Sequence, residues 1–280
     1  MFRGLALLLA GLLAFCAAAA FASPSAPPET AATDDEAISR AAKVVRHVAG
    51  PRRLILLGEL HGTCEVPRLA AAVVSAYAQA GPVLLAVEID HAEQRAIDVY
   101  LRSDGGPDAR AALSSRPFWA RTDVAHDGRR NHDLLDLFEQ LRLLRSAGRD
   151  VAVLAFDVPR TPDHHARDRA MATVLRASHR ALPRGRLVVV TGNVHAMKER
   201  PSGAPAIMQV PAGAYLRDLR PVSFRITARS GQFWACRAAC GPMPVDGAGE
   251  RTGPSHGAYD HVIVLPRHRV ARLMGAPAGP

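Results

Sequence analysis

Five short runs of Val, Ile, Leu and Ala are the feature that most constrains the fold of this chain. An apolar run without polar alternation is typical of a strand that is covered on both faces of a sheet. The runs lie at residues 53–57, 83–87, 151–155, 187–190 and 261–265. The sequence therefore predicts a central sheet of buried strands.

Segments with helical periodicity separate the first four runs. Apolar residues recur in these segments at every third or fourth position, which predicts helices. The predicted helices cover residues 65–80, 91–101, 132–147 and 163–182. Strands that alternate with helices are joined by right-handed crossovers and lie parallel to each other. We therefore predict an α/β fold with a mostly parallel central sheet and helices on both faces.

The pattern changes after residue 195. Short runs at 207–210 and 222–227 are separated by Pro and Gly, which favours edge strands or a small C-terminal antiparallel addition. A loop over 230–258 follows, and in an oxidising compartment Cys236 and Cys240 would close part of it with a disulfide. A zinc site is the weaker interpretation, because no second Cys or His pair follows at a finger-like spacing. Cys64 then remains a small buried thiol.

The two ends of the chain differ in composition from the rest. Residues 1–22 combine one arginine, an apolar run and a small residue on either side of Phe21, which predicts a secretory signal peptide. The bulky Phe15 before Cys16 argues against lipid attachment there. Residues 23–35 predict a flexible leader, 36–273 a single domain, and 274–280 a disordered tail. We expect a periplasmic or secreted protein without stable membrane insertion.

The formal net charge of +9 raises the question of a nucleic-acid partner. Lys43 and Lys198 are the only lysines, and the arginines are scattered along the chain. A nucleic-acid-binding face needs basic residues that cluster on one element, and the sequence has no such cluster. We therefore expect a small-molecule or peptide substrate and no nucleic-acid partner, while the sequence gives no indication of an oligomeric state.

Functional groups follow each of the first four apolar runs. Glu59 and His61 follow the first run, Glu88 the second, Asp157 the third and His195 the fourth. The carboxyl ends of parallel strands meet at one edge of a sheet, and ligands bind beyond that edge. The sequence thus predicts an active or ligand-binding site at the sheet end, centred on Glu59, His61, Glu88 and His195.

Structural roles compete with functional ones for several of these side chains. Asp157 precedes Val158-Pro159 and fits a turn as well as a site, whereas Glu65 fits the positive end of a helix dipole. Glu88 is different, because it follows five apolar residues and an unpaired charge at the rim of a core is costly. We therefore predict that a histidine, an arginine or a metal is its partner.

Two Gly-x-x-His units occupy equivalent places after the first and fourth runs, at residues 58–61 and 192–195. Glycine permits a sharp turn, and the histidine three residues later can fold back over the sheet end. His61, His195 and Glu88 would suit a divalent metal such as manganese, cobalt or zinc. Without a metal, Glu59 or Glu88 would orient a histidine as a general acid and base.

Four short motifs together resemble a known superfamily. They lie at residues 57–67, 87–90, 167–172 and 191–196, and the resemblance runs from about residue 54 to about residue 196. The superfamily contains the haem-binding uptake protein ChaN, the Tiki proteases and the erythromycin esterases. Its members share an α/β scaffold on which different chemistries are found.

The branches of this superfamily imply different activities. Tiki-like members imply a metal-dependent peptidase, with His61, His195 and either Glu88 or Glu59 as ligands. Esterase-like members imply attack of water on a lactone through Glu59, His61 and Glu88. ChaN-like members imply haem binding without catalysis. Tyrosines would be the axial ligands for such a haem, and those of this chain lie outside the motifs at Tyr77, Tyr100, Tyr215 and Tyr259.

We predict that Arg169, in the helix after the third strand, contacts an anionic group of a ligand or cofactor. Asp157 is predicted as a second residue that binds this ligand or cofactor. A charged, solvated helix face is the alternative for Arg169.

The leading hypothesis is an exported hydrolase in which Glu59, His61, Glu88 and His195 activate water with a divalent metal. The alternative is a protein that binds haem or another iron-containing ligand.

Overall fold

The computed structural model describes residues 29–158, 164–205, 208 and 210–276. The predicted signal peptide and the first residues of the predicted leader lie outside the described residues. Only two positions of the apolar run at 207–210 are described, and no strand is assigned to them. None of the described helices is both long and apolar enough to cross a bilayer.

The four helices predicted from periodicity are present as α2, α3, α5 and α6, and α3 follows a short 3-10 turn at His91–Glu93. Shorter helices and an N-terminal helix, which the sequence pattern did not reveal, complete the set. The helices are α1 (Glu29–Ala49), α2 (Glu65–Tyr77), α3 (Gln94–Arg102), α4 (Pro107–Ser114), α5 (His132–Ser146), α6 (His164–Ala181), α7 (Asn193–Ala196) and α8 (Ala212–Tyr215).

The central sheet has seven strands in the order β3-β2-β4-β1-β5-β9-β8. Neighbouring strands are parallel except for β8, which runs antiparallel to β9 at one edge. A separate antiparallel hairpin is formed by β6 and β7. The strands are β1 (Leu54–Glu59), β2 (Val83–Asp90), β3 (Val151–Asp157), β4 (Arg186–Gly192), β5 (Val222–Ala228), β6 (Gln232–Cys236), β7 (Cys240–Pro244), β8 (Gly253–Pro254) and β9 (His261–Leu265).

Both faces of the sheet are covered, which explains the continuous apolar runs. Successive side chains of a strand point to opposite faces. In β1, Ile55 and Leu57 join the core formed with helices α1 to α5, whereas Leu54 and Leu56 join the core formed with α6 to α8. Burial of each such side chain contributes about 1.5 to 3 kcal/mol. The predicted mostly parallel sheet with helices on both faces is confirmed.

The carboxyl ends of β1 and β4, which are neighbours in the sheet, mark the position at which a ligand crevice is expected. The chain leaves β1 toward α2, whose Val66 belongs to the first core, and leaves β4 toward α7, whose Ala196 belongs to the second core. Neighbouring strands whose connections turn to opposite faces create the usual ligand crevice of open α/β sheets. A Cβ atom at Gly58 would lie 2.9 Å from Cβ of Ala196, so glycine allows α7 to pack closely on β1.

The prediction for residues 222–227 was wrong. Strand β5 lies between β1 and β9 and is parallel to both, so it is an interior strand and neither an edge strand nor an antiparallel addition. Three polar residues, Ser223, Arg225 and Thr227, interrupt its apolar pattern, yet Ser223 and Thr227 are buried. The hydroxyl of Ser223 donates to the carbonyl oxygen of Ala196 at 2.6 Å, which satisfies its hydrogen-bonding need inside the core.

The predicted antiparallel addition is confirmed as the β6–β7 hairpin within the 230–258 loop. The predicted disulfide between Cys236 and Cys240 is present at the outer end of this hairpin. Cys64 is a free, partly buried thiol, and burial raises its pKa to about 11. The hairpin is therefore closed by a covalent bond, whereas Cys64 stays in its thiol form at neutral pH.

The described structure continues past the predicted boundaries of the domain at both ends. Helix α1 begins at Glu29 and so includes the last part of the segment predicted as a flexible leader; Ile38 and Val45 of this helix are buried in the first core. At the other end, Met274 is buried instead of beginning a disordered tail. Its backbone N–H donates to the carbonyl oxygen of Arg130 at 2.9 Å, which ties the C-terminal segment to the body of the protein.

Candidate active site

The order β2-β4-β1 brings together three of the strand ends that the sequence singled out. Glu59 at the end of β1 is in register with Gly192 at the end of β4, and Glu88 lies near the end of β2 on the other side of β4. His61 and His195 follow β1 and β4 directly. The structure thus places all four residues predicted as catalytic at one point of the sheet edge.

Glu88 lies at the centre of this group and is buried. Its Oε1 accepts hydrogen bonds from Arg129 Nη1 at 2.9 Å and from Arg167 Nη2 at 2.8 Å. Its Oε2 accepts from Thr191 Oγ1 at 2.7 Å and from the backbone N–H of Gly192 at 2.8 Å. The partner predicted for Glu88 is therefore a pair of arginines, supplemented by two neutral donors.

These contacts keep Glu88 ionised. Burial by itself would raise the pKa of the carboxyl, but the charge of Arg129, together with charges on His195, His61 and Arg167, holds that pKa well below its usual range. Both oxygens already accept two hydrogen bonds each. A carboxylate that is strongly acidic and fully engaged is a poor proton acceptor, so Glu88 is suited to positioning and to electrostatic stabilisation.

The same two arginines bind further carboxylates. Arg129 Nη1 and Arg167 Nη2 donate to Asp157 Oδ2 at 2.9 and 2.8 Å, and Arg129 Nη2 donates to Asp127 at 2.7 Å. Burial lowers the pKa of each guanidinium, but the adjacent carboxylates outweigh burial and raise it. Asp157, predicted as a cofactor-binding residue, is thus a member of an internal ion-pair network.

His61 and Glu59 form a hydrogen-bonded pair. His61 Nδ1 lies 3.0 Å from Glu59 Oε1, and His61 Nε2 lies 3.8 Å from Glu88 Oε2. A Cβ atom at Gly192 would lie 3.1 Å from His61 Nε2, so a glycine at this position leaves room for the imidazole. Burial lowers the pKa of His61, but the charge of Glu88 and the hydrogen bond to Glu59 outweigh burial and raise it.

His195 is held differently. Its Nδ1 lies 2.7 Å from Asp168 Oδ1, which also accepts a hydrogen bond from the backbone N–H of Ala212. Its Nε2 lies 3.0 Å from Arg167 Nη1. Because a guanidinium can only donate, Nε2 accepts this hydrogen bond and the ring proton lies on Nδ1. Both nitrogens of His195 therefore have partners within the protein.

The structure places Arg169 outside the group of residues at the sheet end. Its side chain is exposed on α6, and its guanidinium lies 5.8 Å from the centre of the Tyr215 ring. Arg167 enters the site instead, because residues two apart on a helix point to different sides. The sequence motif at 167–172 contained Arg167 and Asp168, but its periodicity did not indicate which arginine faces the sheet end.

Arg129 was missed because it does not follow a strand. It lies in the segment 126–131, here called the arginine loop, which precedes α5. Asn131 fixes this loop: its side-chain oxygen accepts from the backbone N–H of Leu134 at 2.7 Å, and its amide donates to the carbonyl oxygen of Gly128 at 2.7 Å. An N-cap asparagine was a readable signal for the start of α5, but no sequence signal linked Arg129 to Glu88.

A cleft of about 500 Å³ adjoins the ion-pair network. Arg129 and Asp157 form its floor, and the disulfide of the β6–β7 hairpin forms part of its wall. Further lining residues, contributed by the segments 90–130 and 157–158, are Asp90, Phe118, Arg121, Ala125, His126, Asp127, Arg130 and Val158. This volume falls in the range of about 300 to 1,000 Å³ that is typical of small-molecule sites.

The donor set does not fit the divalent metal suggested by the sequence. Both oxygens of Glu88 are occupied by four donors, and the lone pair of His195 Nε2 accepts from Arg167. A cation between Glu88 and the histidines would lie against two guanidinium charges. Within the described ranges, no group of three or more His, Cys, Asp or Glu side chains is arranged to hold a metal ion.

Three of the four tyrosines do not fit a haem site either. Tyr77, Tyr100 and Tyr259 are buried, and burial raises the pKa of each phenol, with a further contribution from Glu139 for Tyr100. Axial ligation through tyrosine requires an accessible phenolate. Tyr259 instead donates to the carbonyl oxygen of Asn193 at 2.7 Å, and Tyr100 donates to Glu139 at 2.8 Å.

Comparison with known proteins was made at the levels of sequence and of fold. No family model matches the sequence, and no curated protein matches it. A variant of the erythromycin esterase EreC in its open conformation has a similar fold: the TM-score is 0.61 at 11% identity, over 81% of this chain and 93% of that chain.

Two further solved structures share this architecture. A protein from Bacillus cereus has a TM-score of 0.56 at 12% identity, over 84% of this chain and 93% of that chain. A succinoglycan biosynthesis protein has a TM-score of 0.55 at 11% identity, over 89% of this chain and 100% of that chain. The resemblance to erythromycin esterases that the motifs suggested is therefore confirmed at the level of the fold.

Proposed function

We propose that this protein is a hydrolase that cleaves an ester bond of a small molecule, with His61 as the general base. The observation that carries the proposal is the hydrogen bond of 3.0 Å between His61 Nδ1 and Glu59 at the carboxyl ends of β1 and β4. A carboxylate on Nδ1 fixes the ring and its tautomer, and it leaves the lone pair of Nε2 for a proton.

In the proposed reaction, His61 Nε2 takes a proton from a water molecule as the water oxygen attacks the carbonyl carbon of the ester. The imidazolium that forms is stabilised by Glu59 and by Glu88, whose Oε2 lies 3.8 Å from Nε2. The carbonyl oxygen gains negative charge, which the guanidiniums of Arg129 and Arg167 at the same sheet edge favour. His61 then returns the proton to the leaving alkoxide, so an acid and an alcohol are released.

Two observations support the choice of substrate class. The fold is similar to that of an erythromycin esterase, which favours an ester as the bond that is cleaved. The adjoining cleft of about 500 Å³ has the size of a small-molecule site.

The Cys236–Cys240 disulfide supports a periplasmic or secreted location, because such bonds persist in oxidising compartments.

The test compares hydrolysis of para-nitrophenyl acetate and butyrate by the wild-type protein, His61→Asn and His91→Asn. His91 is a matched control, because it follows β2 at the same sheet end but is exposed. We expect His61→Asn to lower kcat/KM by about 10²- to 10⁴-fold, the usual contribution of a general base, and His91→Asn to leave it unchanged. Wild-type activity in His61→Asn would contradict the proposal.

The metal and haem hypotheses from the sequence stay predictions and can be tested on the same preparation. We expect ester hydrolysis to be unchanged by dialysis against a chelator and by addition of manganese, cobalt or zinc, because arginines occupy the position a metal would need. Activity that depends on added metal would support the metallohydrolase instead. A Soret band on titration with haem would support the binding protein.

A further inference from the structure

The β6–β7 hairpin is separate from the central sheet, yet it contacts both loops that carry site residues. One of them is the segment 60–64, here called the catalytic loop, which contains His61. The other is the arginine loop, which contains Arg129. The hairpin also supplies the wall of the cleft through Cys236 and Cys240. An element outside the core fold is thus in contact with the loops that carry the groups that the proposed reaction uses.

Trp234 of the hairpin makes hydrogen bonds to both loops. Its backbone N–H donates to the carbonyl oxygen of Gly62 at 3.3 Å, one residue after His61. Its indole Nε1 donates to the carbonyl oxygen of His126 at 2.8 Å, at the start of the arginine loop. A single residue, through its backbone and its side chain, therefore joins the backbone next to the proposed base to the backbone that leads to Arg129.

The catalytic loop, the arginine loop and the hairpin approach each other so closely that two positions have room only for glycine. Gly62 and Gly128 have φ values of +67° and +86°, in the left-handed region that favours glycine. A Cβ atom at Gly62 would lie 2.6 Å from Cβ of Trp234, and one at Gly128 would lie 2.7 Å from Cα of Gly62. Because no side chain separates these backbones, a shift of the hairpin is transmitted directly to both loops.

The disulfide closes the outer end of the hairpin. Cys236 and Cys240 are opposed in the strand register, and Cys236 is two residues from Trp234. A two-stranded ribbon without further strands is at best marginally stable. The covalent bond therefore supplies the rigidity that the hairpin cannot obtain from a larger sheet.

We propose that Trp234 is a positioning residue that aligns His61 with Arg129, and that the Cys236–Cys240 disulfide maintains this alignment, so that the activity depends on the oxidised hairpin. The inference rests on the proposed ester hydrolysis. Reduction by a dithiol would break the S–S bond, give two thiols and convert the dithiol to its own disulfide, with transfer of two electrons and two protons.

The first experiment compares Trp234→Ala and Trp234→Phe with Phe233→Ala, a neighbouring aromatic on the other face of β6. A misplacement of about 1 Å can cost about 10²-fold in rate, so we expect Trp234→Ala to lower kcat strongly with little change in KM. Trp234→Phe, which keeps an aromatic ring but loses the indole N–H, should recover part of kcat. An unchanged kcat in Trp234→Ala, or an equal loss in Phe233→Ala, would overturn the proposal.

The second experiment does not depend on catalysis. Hydrogen exchange of the full chain is measured by mass spectrometry with and without dithiothreitol, and for the Cys236→Ser/Cys240→Ser variant. We expect faster exchange in the catalytic and arginine loops, with β2 and β4 unchanged. Unchanged exchange in both loops would overturn the inference. If the wild-type protein hydrolyses no ester, the proposed function fails, whereas the exchange data still decide whether the hairpin aligns the loops.

Discussion

The two Gly-x-x-His turns of this protein are alike in sequence and differ in chemistry. In each, the Nδ1 atom of the histidine lies against a carboxylate, at 3.0 Å from Glu59 for His61 and at 2.7 Å from Asp168 for His195. Both Nε2 atoms lie 3.8 Å from an oxygen of Glu88, so this carboxylate does not distinguish them. The difference is that His195 Nε2 also contacts the guanidinium of Arg167 at 3.0 Å.

This difference decides what each histidine can do. At His61, the carboxylates of Glu59 and Glu88 stabilise the imidazolium, and among the described residues no donor occupies the lone pair of Nε2, so His61 is suited to accept a proton. At His195, the guanidinium of Arg167 uses the lone pair of Nε2, so His195 is suited to hold Arg167 in place. The motif alone therefore does not identify a base, because the group opposite the second nitrogen determines the role.

Removal of the charge of Glu88 would affect both turns and is expected to have the largest effect. In Glu88→Gln, the buried guanidiniums of Arg129 and Arg167 lose a shared carboxylate, and breaking such a pair costs about 3 to 5 kcal/mol of unfolding free energy. Urea denaturation at pH 7 measures the loss. Asp90→Asn, at an exposed carboxylate on the same strand end, should stay within about 0.5 kcal/mol.

A lower pH should reproduce, in the wild-type protein, part of the loss of unfolding free energy expected for Glu88→Gln. The folded-state pKa of Glu88 is depressed, so its stabilising contribution is present above the unfolded pKa of about 4.3 and is lost as the pH falls through the folded value. Equal stability of the wild-type protein and Glu88→Gln at pH 7 would mean that the ion-pair network contributes nothing.

Loss of Arg167 would distinguish the two Gly-x-x-His turns, because Arg167 contacts His195 of the second turn. Arg167→Ala removes the partner of His195 Nε2 but leaves Arg129 on Glu88 and Asp157, so we expect a smaller loss of about 2 kcal/mol. The matched control is Arg169→Ala, on the exposed side of the same helix, which should change the stability by less than about 0.5 kcal/mol. Chemical denaturation of both variants tests this order, and equal losses would contradict the assignment of Arg167 to the site.

The ionisation of His61 should have the smallest effect on the unfolding free energy. Its folded-state pKa is raised, so its contribution to stability is fully present below the unfolded pKa of about 6.5 and is lost as the pH rises through the folded value. The difference in unfolding free energy between the wild-type protein and His61→Gln should therefore shrink from pH 6 to pH 9. A difference that grows with pH would show that the pKa is lowered.

The value of kcat/KM should depend on the same ionisation of His61, but it should rise with pH where the stability contribution of His61 falls. A general base must be unprotonated, so kcat/KM should fall about tenfold for each pH unit below the folded pKa of His61. A pH profile of ester hydrolysis by the wild-type protein and by His91→Asn measures this limb. The two profiles should coincide, because His91 is exposed and outside the site. A profile that is flat between pH 5 and pH 8 would exclude His61 as the base.

Much of the fold could be predicted because the relevant signals are local. The continuous apolar runs indicated strands covered on both faces, and those runs became β1, β2, β3, β4 and β9. Strand β5 was misjudged, because Pro and Gly border its run and polar residues interrupt it, although Ser223 and Thr227 are buried and Ser223 is paired with a backbone carbonyl. Hydropathy alone cannot distinguish a buried polar group that has a partner from one that faces water.

The sequence by itself determined which residues stand at the strand ends and which pair is formed locally. Glu59 and His61 are two residues apart, so their contact follows from one turn after β1. Only the tertiary structure decided that Arg129 and Arg167 bind Glu88, from 41 and 79 positions away. Periodicity records which side of an element is buried. It does not record which distant charge lies opposite, because that depends on how loops and helices pack over the sheet edge.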